Sequence, residues 1–396
     1  MIDLTEYGHL NSNTALKKKG KKLDLPSRSV NLLRLSLLAA LAAACGPSPS
    51  PVAPLNAPAY GTLLGNQRRA LFEHEPIPTQ PTVAWDTDAG SGMRGTLLLV
   101  DSVVLAATTN RQMLAFHRES GRRHWDQRFG NAVTTTVLYD NNTVYAATDE
   151  RDGELIALNT ARGRRQWKRG VGAVRFTPLL DQQVIYVGND AGTVSALRTN
   201  RGEQLWRVGL GGGLAETPLD GGAHIVVFTT TDSVFSLRKS DGGLVARGAL
   251  PATPSAAAAL HGNTILVPTQ DSTVVGLDAN SLTVSWQKAV SAPVLTAPVV
   301  TQDGTAYFAA RDGSLYRVRE GQLERIAQLG HAIAGSLTLA RGHLLLGSYD
   351  GTLLAVSLNG DVVWRHNFND SIVAPVAVGG GAVYVPLLRG RIVKLR

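Results

Sequence analysis

Residues 152–167 read Asp152-Gly153-Glu154-Leu155-Ile156-Ala157-Leu158-Asn159-Thr160-Ala161-Arg162-Gly163-Arg164-Arg165-Gln166-Trp167. The six tryptophans repeat this phrase along the chain: Trp85, Trp125, Trp167, Trp206, Trp286 and Trp364 stand 40, 42, 39, 80 and 78 residues apart. The two long steps are double steps, whose skipped places hold Ala246 and Arg325. A glycine precedes the tryptophan place by four residues at Gly121, Gly163, Gly202, Gly242, Gly321 and Gly360, and Leu282 is the exception. A period near 40 residues marks a repeat architecture, in which each unit is one supersecondary element.

Each unit holds four short β-rich runs. The first is often entered by proline, as in Thr177-Pro178-Leu179-Leu180 and Ala297-Pro298-Val299-Val300; proline is tolerated at a strand's first residue, where no ladder donor is needed. The second is a Val/Tyr run such as Val184-Ile185-Tyr186-Val187. A turn follows, marked by Asp152-Gly153, Asp312-Gly313 or Asp350-Gly351. Asp-Gly between alternating apolar runs signals a hairpin, since a type I′ turn needs positive φ at both central residues. The third run ends in a small-plus-large pair, Ala157-Leu158 or Ala196-Leu197, and the fourth carries the tryptophan. Four-stranded units at this period are propeller blades.

Seven units close with their own tryptophan-phase strand. An eighth begins at Ser371, runs through Val383-Tyr384-Val385 and Ile392-Val393-Lys394-Leu395, and has no fourth strand before Arg396. The orphan run Thr82-Val83-Ala84-Trp85 supplies it, because an unpaired sheet edge in a ring invites aggregation. The expected fold is therefore all-β: an eight-bladed β-propeller of four-stranded antiparallel blades, closed by the N-terminal strand. The tryptophans read as structural, packing at equivalent places between blades.

Composition agrees with a globular β protein: 44% of residues are hydrophobic and mean hydropathy is −0.01. The chain has one cysteine, which excludes a disulfide framework and a cysteine-based zinc site. That cysteine ends the stretch Leu41-Ala42-Ala43-Ala44-Cys45, after Arg34 and an apolar run from Leu35. A basic start, a short apolar run and small residues before a cut form a secretory signal, and the run is too short to span a bilayer permanently. It resembles a bacterial lipoprotein signal, with Cys45 lipidated as the new N-terminus. Ala42 stands where leucine is commoner in such signals. The polar stretch with Lys17, Lys18, Lys19, Lys21 and Lys22 is long for a leader, which suggests a true translation start near Val30. Three segments follow: 1–44 as signal, 45–80 as lipid-anchored proline-rich tether, and 81–396 as propeller. Within the tether, residues 68–73 suit one amphipathic turn or a docking contact.

Removing residues 1–44 takes away seven Lys/Arg and three Asp/Glu, so the net charge of +8 falls to +4. The basic balance is thus partly a leader effect, and no aromatic–basic motif indicates nucleic acid. His117 and His124, the nearest histidine pair, flank a turn and read as solvated. The run from Asp149 to Glu154 lacks the alternating oxygen ligands and distant bidentate glutamate of a calcium loop. No Gly-x-Ser-x-Gly elbow or phosphate loop occurs, and Gly209 to Gly213 reads as a connection. The residues thus suggest neither a catalytic group nor a cofactor or metal site. One surface signal remains. Arg118, Arg122 and Arg123, then Arg162, Arg164 and Arg165, fall in equivalent turns of two neighbouring blades, with Lys168 and Arg169 following. They should form a basic rim, which is either a solvated face or a dock for an acidic protein or anionic headgroup.

The units ending at Trp167 and Trp206 resemble the tryptophan-docking repeat of quinoprotein (PQQ) β-propellers over roughly residues 82–396. Two branches follow. Quinone-dependent dehydrogenases share the repeat but are longer, and many pair adjacent cysteines near the cofactor and bind calcium through Glu, Asn and Asp. The propeller here has no cysteine. The second branch, the BamB-type lipoproteins of the outer-membrane barrel-assembly machinery, is similar in size, lipobox, blade number and N-terminal closure. That resemblance implies a monomeric, non-enzymatic scaffold within a complex, anchored by lipid at the periplasmic face of the outer membrane. It implies the barrel-inserting subunit BamA as partner. Gly46 rather than aspartate after the cysteine fits outer-membrane sorting by the same family rule. The alternatives are a quinone- or metal-dependent dehydrogenase-like propeller, or an envelope sensor or scaffold with another partner.

Overall fold

The structure, a computed structural model, describes residues 73–335 and 337–396. Cys45, the leader and the tether up to residue 72 lie outside the described residues. Among those described there are 32 strands and no helix. The strands form eight sheets of four, each an antiparallel meander. Blade 2 shows the pattern, with strands a to d from the ring centre outward: Leu138–Asp140, Thr143–Ala147, Glu154–Asn159 and Arg165–Gly170. Blade 1 spans 98–128, and blades 3 to 7 span 179–209, 219–249, 259–289, 299–328 and 338–367.

Burial explains the composition of each strand. In blade 1 every residue of strand b, Val103–Thr108, is buried, as are Met113 to Phe116 of strand c. Both faces of these strands lie against neighbouring blades, so they read as continuous apolar runs. Strand d is outermost and alternates, as in Gln204–Gly209, where Trp206 is buried and Gln204, Leu205 and Arg207 are exposed. The core is a ring of interblade layers. One packs Leu98, Leu105 and Met113 of blade 1 against Val144, Ile156 and Leu158 of blade 2. Each such fully buried aliphatic side chain contributes about 1.5–3 kcal/mol relative to exposure.

Blade 8 closes as the sequence indicates. Its first three strands are Ala377–Gly379, Ala382–Pro386 and Arg391–Leu395, and its fourth is Val83–Asp88. The register pairs Trp85 with Lys394 and Asp88 with Arg391. Thr82 and Arg396 exchange two backbone hydrogen bonds of 2.9 Å, fastening the first strand of the ring to the last.

Three local features depart from the sequence expectations. The Asp-Gly turn is not type I′. At Asp312-Gly313 only Gly313 has positive φ, +86°. Gly313 N–H donates to the Ala310 carbonyl at 3.0 Å and Ala310 N–H to the Ser314 carbonyl at 2.9 Å. This is a type I turn followed by a left-handed glycine, the wider hairpin solution. Two positive φ values occur instead in turns joining strands a and b, as at Asn141 (45°) with Asn142 (60°) and at Gln182 (45°) with Gln183 (65°). Second, the strand-entry prolines Pro178, Pro218 and Pro298 sit just before strand a, which begins at Leu179, Leu219 and Val299. Third, the place expected for Arg325 belongs to Glu324. In blade 6 the row that elsewhere reads Tyr186–Ala196–Trp206 is Tyr307–Arg317–Glu324. Its c–d hairpin is a tight turn at Glu320 (50°) and Gly321 (75°), and the bulge has moved to Ile326.

The bulge is a recurrent device. In blades 1 to 5, 7 and 8 the register slips by one residue just before the tryptophan place, skipping for example His124, Gln166 and Leu205. A bulge on an outer strand twists it and blunts the unpaired edge.

Candidate functional surfaces

The tryptophans form a chain of interblade docks. Five of the six indoles lie over the c–d turn of the next blade. A Cβ added to Gly163 would stand 2.5 Å from Trp125, and one added to Gly242 would stand 2.7 Å from Trp206. These glycines carry φ of +64° and +73°, so steric room and backbone conformation both require glycine. Four indoles also donate Nε1–H to a backbone carbonyl three residues before that glycine. They are Trp85 to Arg118 (3.1 Å), Trp125 to Thr160 (2.8 Å), Trp167 to Thr199 (2.9 Å) and Trp206 to Lys239 (2.8 Å).

The exceptions obey the same geometry. Where the indole is missing, at Ala246, the next turn carries Leu282 in place of glycine. Leu282 is fully buried against the cluster that Ala246 borders, and it accepts a φ of +57°. The large residue has moved from one side of the contact to the other. Trp364 shows the opposite case. Its dock would be the c–d turn of blade 8, where the chain ends meet and no turn exists. Its Nε1 is buried without a hydrogen-bond partner.

The a–b and c–d turns share one face of the ring, and the b–c turns and blade-to-blade connections the other. Five of the six rim arginines, Arg122, Arg123, Arg162, Arg164 and Arg165, are exposed on the first face. Arg118 is placed differently. It occupies the indole-accepting position of its turn and reaches back into the seam, where its Nε donates to the Tyr384 hydroxyl at 3.0 Å. Lys394, almost fully buried, donates from Nζ to Glu119 at 3.0 Å and to the Arg118 carbonyl at 3.1 Å. The hydrogen bond from Lys394 first, opposed by burial and aided by the charges of Lys394, Arg396 and Arg118, holds the Glu119 carboxyl below its ordinary value.

Lys239 holds the same turn position three blades away. Its side chain is 12% exposed, and its Nζ bridges Asp181 at 2.6 Å and Asp220 at 2.7 Å, joining blades 3 and 4. Tyr186 lies beneath, 5.8 Å from the Trp206 ring. Burial, then the charges of Asp181 and Asp220, push its hydroxyl up to about 12. Sequence reading missed this clamp, although Asp140, Asp181 and Asp220 recur at the repeat period and Lys239 matches Arg118 in phase.

On the opposite face, the ring centre holds a cavity of about 180 Å³. Arg94, Thr134, Arg175 and Glu216 line one side, and Leu295, Val373 and Pro375 the other. Arg175 is engaged by Asp190 at 2.6 Å and Asp149 at 3.3 Å. The charged hairpin from Asp149 to Glu154 therefore serves ordinary ion pairs, including Glu154 with Lys168 at 2.6 Å. Thr136 and Thr177 accept the N–H groups of Thr96 and Thr136, both at 3.1 Å, linking blades 1 to 3 along the channel wall. His117 and His124 are exposed, their rings 4.8 Å apart. No group of three or more His, Cys, Asp or Glu side chains gathers among the described residues.

Comparison with known proteins agrees with this architecture. The family described as outer membrane protein assembly factor BamB matches residues 78–176 and 168–357. No curated protein matches the chain in sequence. Among solved structures, BamB from Moraxella catarrhalis is 15% identical, with a TM-score of 0.67 over 80% of this chain and 98% of that one. The quinohemoprotein alcohol dehydrogenase from Comamonas testosteroni is 14% identical, with a TM-score of 0.69 over 86% of this chain and 81% of that one. A europium-containing methanol dehydrogenase is 12% identical, with a TM-score of 0.67 over 84% and 97%. At these identities the structures share a fold and no more, and scaffold and enzyme resemble this chain equally. The chain belongs to the outer membrane protein assembly factor BamB family of PQQ-like repeat propellers.

Proposed function

We propose that this protein is a non-enzymatic scaffold of the bacterial cell envelope, lipid-anchored through Cys45, that binds the barrel-inserting subunit BamA and assists outer-membrane β-barrel assembly. The family match across residues 78–357 is the observation that carries this reading. The geometry supports it. The central cavity, about 180 Å³, is smaller than the roughly 300 Å³ at which small-molecule sites begin. The mouth on that side is occupied by the Arg175–Asp149–Asp190 ion pairs. The tryptophans, which an enzyme could use to stack a quinone, are spent on interblade contacts.

Crosslinking in the native envelope followed by mass spectrometry tests the proposal. The scaffold reading expects peptides of the barrel-assembly complex among the principal adducts. The dehydrogenase-like reading instead expects saturable quinone binding and an absorbance change when quinone and calcium are added. Adducts confined to unrelated envelope proteins would favour a sensor or scaffold with another partner.

A further inference from the structure

We propose that the face bearing the a–b and c–d turns docks on an anionic phospholipid bilayer, through an arginine arc on blades 1 to 3 and exposed aliphatic side chains on blades 3 to 5, 7 and 8. Three separate observations converge on this face.

The first is charge. Arg122, Arg123, Arg162, Arg164, Arg165 and Arg201 are exposed on three successive c–d turns. Among the described residues none of the six forms an ion pair. The acidic side chains of these turns are already taken: Glu119 by Lys394 and Glu203 by Arg198 at 3.7 Å. Guanidinium groups match phosphate oxygens in geometry and charge. The second is exposed apolar surface at the same level. Leu205 (38%), Leu244 (59%), Val245 (43%) and Val284 (43%) project from the starts of the outer strands of blades 3, 4 and 5, and Val362, Val363 and Val83 are exposed at the same places on blades 7 and 8. Blades 1 and 2 carry Arg123-His124 and Arg165-Gln166 at these places. An acidic protein surface would match the arginines and leave these aliphatic side chains in water. The interface of a bilayer accommodates both, headgroups for the basic arc and the acyl boundary for the aliphatic side chains.

The third is the chain path. The polypeptide enters the ring on this face. The Glu73 carbonyl accepts from Arg341 N–H at 2.8 Å, Glu73 Oε1 from Gln302 N–H at 3.1 Å, and Glu75 Oε2 from Gly380 N–H at 3.1 Å. Residues 73–75 thus cross the a–b turns of blades 6, 7 and 8. Residue 73 therefore lies on the side that carries the basic and aliphatic side chains. The choice of a bilayer rests on the envelope reading above, whereas the docking face itself does not depend on BamA.

Hydrogen exchange on the full chain, reconstituted into vesicles, tests the proposal. Attachment through the N-terminal region is then common to every sample, and only engagement of the face varies. On phosphatidylethanolamine–phosphatidylglycerol vesicles, residues 118–123, 160–165 and 199–205 should exchange more slowly than on neutral phosphatidylcholine vesicles. The b–c turns should not change. Each arginine near an anionic surface is worth about fivefold in affinity, so the variant R122E/R164E/R165E should lose the protection. Salt of about 1 M, where the screening length is about 3 Å, should abolish it as well. Equal exchange on both vesicle types overturns the proposal, as does protection that appears only when an acidic protein is added. Crosslinking to the barrel-assembly complex would be unaffected by that failure, so the two readings fall separately.

Discussion

The indole–glycine contact is a size-complementary pair across each blade boundary, and its exceptions make it testable. At Ala246 and Leu282 the bulk has changed sides. Placing an indole there, Ala246→Trp, should overpack the contact and destabilise by about 1–3 kcal/mol. Leu282→Gly alone should cost about 2–5 kcal/mol by opening a cavity, less what the left-handed backbone regains. The double variant should recover most of both losses, which thermal melts arranged as a double-mutant cycle would show. The unpartnered Nε1 of Trp364 gives a second contrast. Trp206→Phe forfeits a hydrogen bond to Lys239 worth about 1 kcal/mol, whereas Trp364→Phe removes a buried donor that has no partner. Trp364→Phe should therefore be the milder change, and equal losses on denaturation would contradict the docking account. Asp350 supplies a pH signature. Burial opposes its ionisation, but hydrogen bonds from Ser348, His331 and Thr352 outweigh it and hold the carboxyl well below its ordinary 3.8. Its contribution is present above that value and is lost as the pH falls below it. Asp350→Asn should therefore lower the melting temperature at neutral pH, with the gap to the parent closing in acid. At this scale the tryptophan places and their glycines were legible in the sequence. The Lys239 and Lys394 clamps were not, because their acidic partners lie far along the chain and only the closed ring brings them together.

Strand number and order followed from the text of the repeat, since each run is short, apolar and bounded by a turn. Turn geometry did not. Asp-Gly suits either a two-residue I′ turn or a type I turn with a left-handed glycine, and only the strand register decides between them. The outer bulge also left no sequence mark, because the skipped residue is as varied as His124, Gln166, Leu205 and Val363. The shifted row of blade 6 has the same cause. A hairpin shortened at Glu320-Gly321 keeps the spacing of Gly321 to Arg325 but moves the row to Glu324. The seam is the element with the most at stake. Strand Val83–Asp88 supplies blade 8 with its outer edge and brings Trp85 over Gly121. Deleting residues up to Asp88 should expose the Arg391–Leu395 edge and yield self-associating material on size-exclusion chromatography. A monodisperse monomer would show that the seam does not close the ring.

For the whole molecule, the repeat specified a closed propeller, yet the same ring serves scaffolds and dehydrogenases at 12–15% identity, so function resides in what the faces carry. The basic rim was legible because its arginines recur in phase. Its aliphatic neighbours were not, since exposure on an outer strand depends on the bulge. Cys45 lies outside the described residues, and its lipidation is a separate expectation: metabolic labelling with a fatty acid should mark the chain, and Cys45→Ala should not be marked. The proposed role is that this BamB-family propeller works by binding BamA rather than by chemistry. The most direct measurement is an equilibrium titration of the purified chain with the periplasmic domains of BamA from the same organism. The account predicts saturable one-to-one binding, unchanged by quinone or calcium. No binding to those domains, together with stoichiometric uptake of quinone, would contradict it.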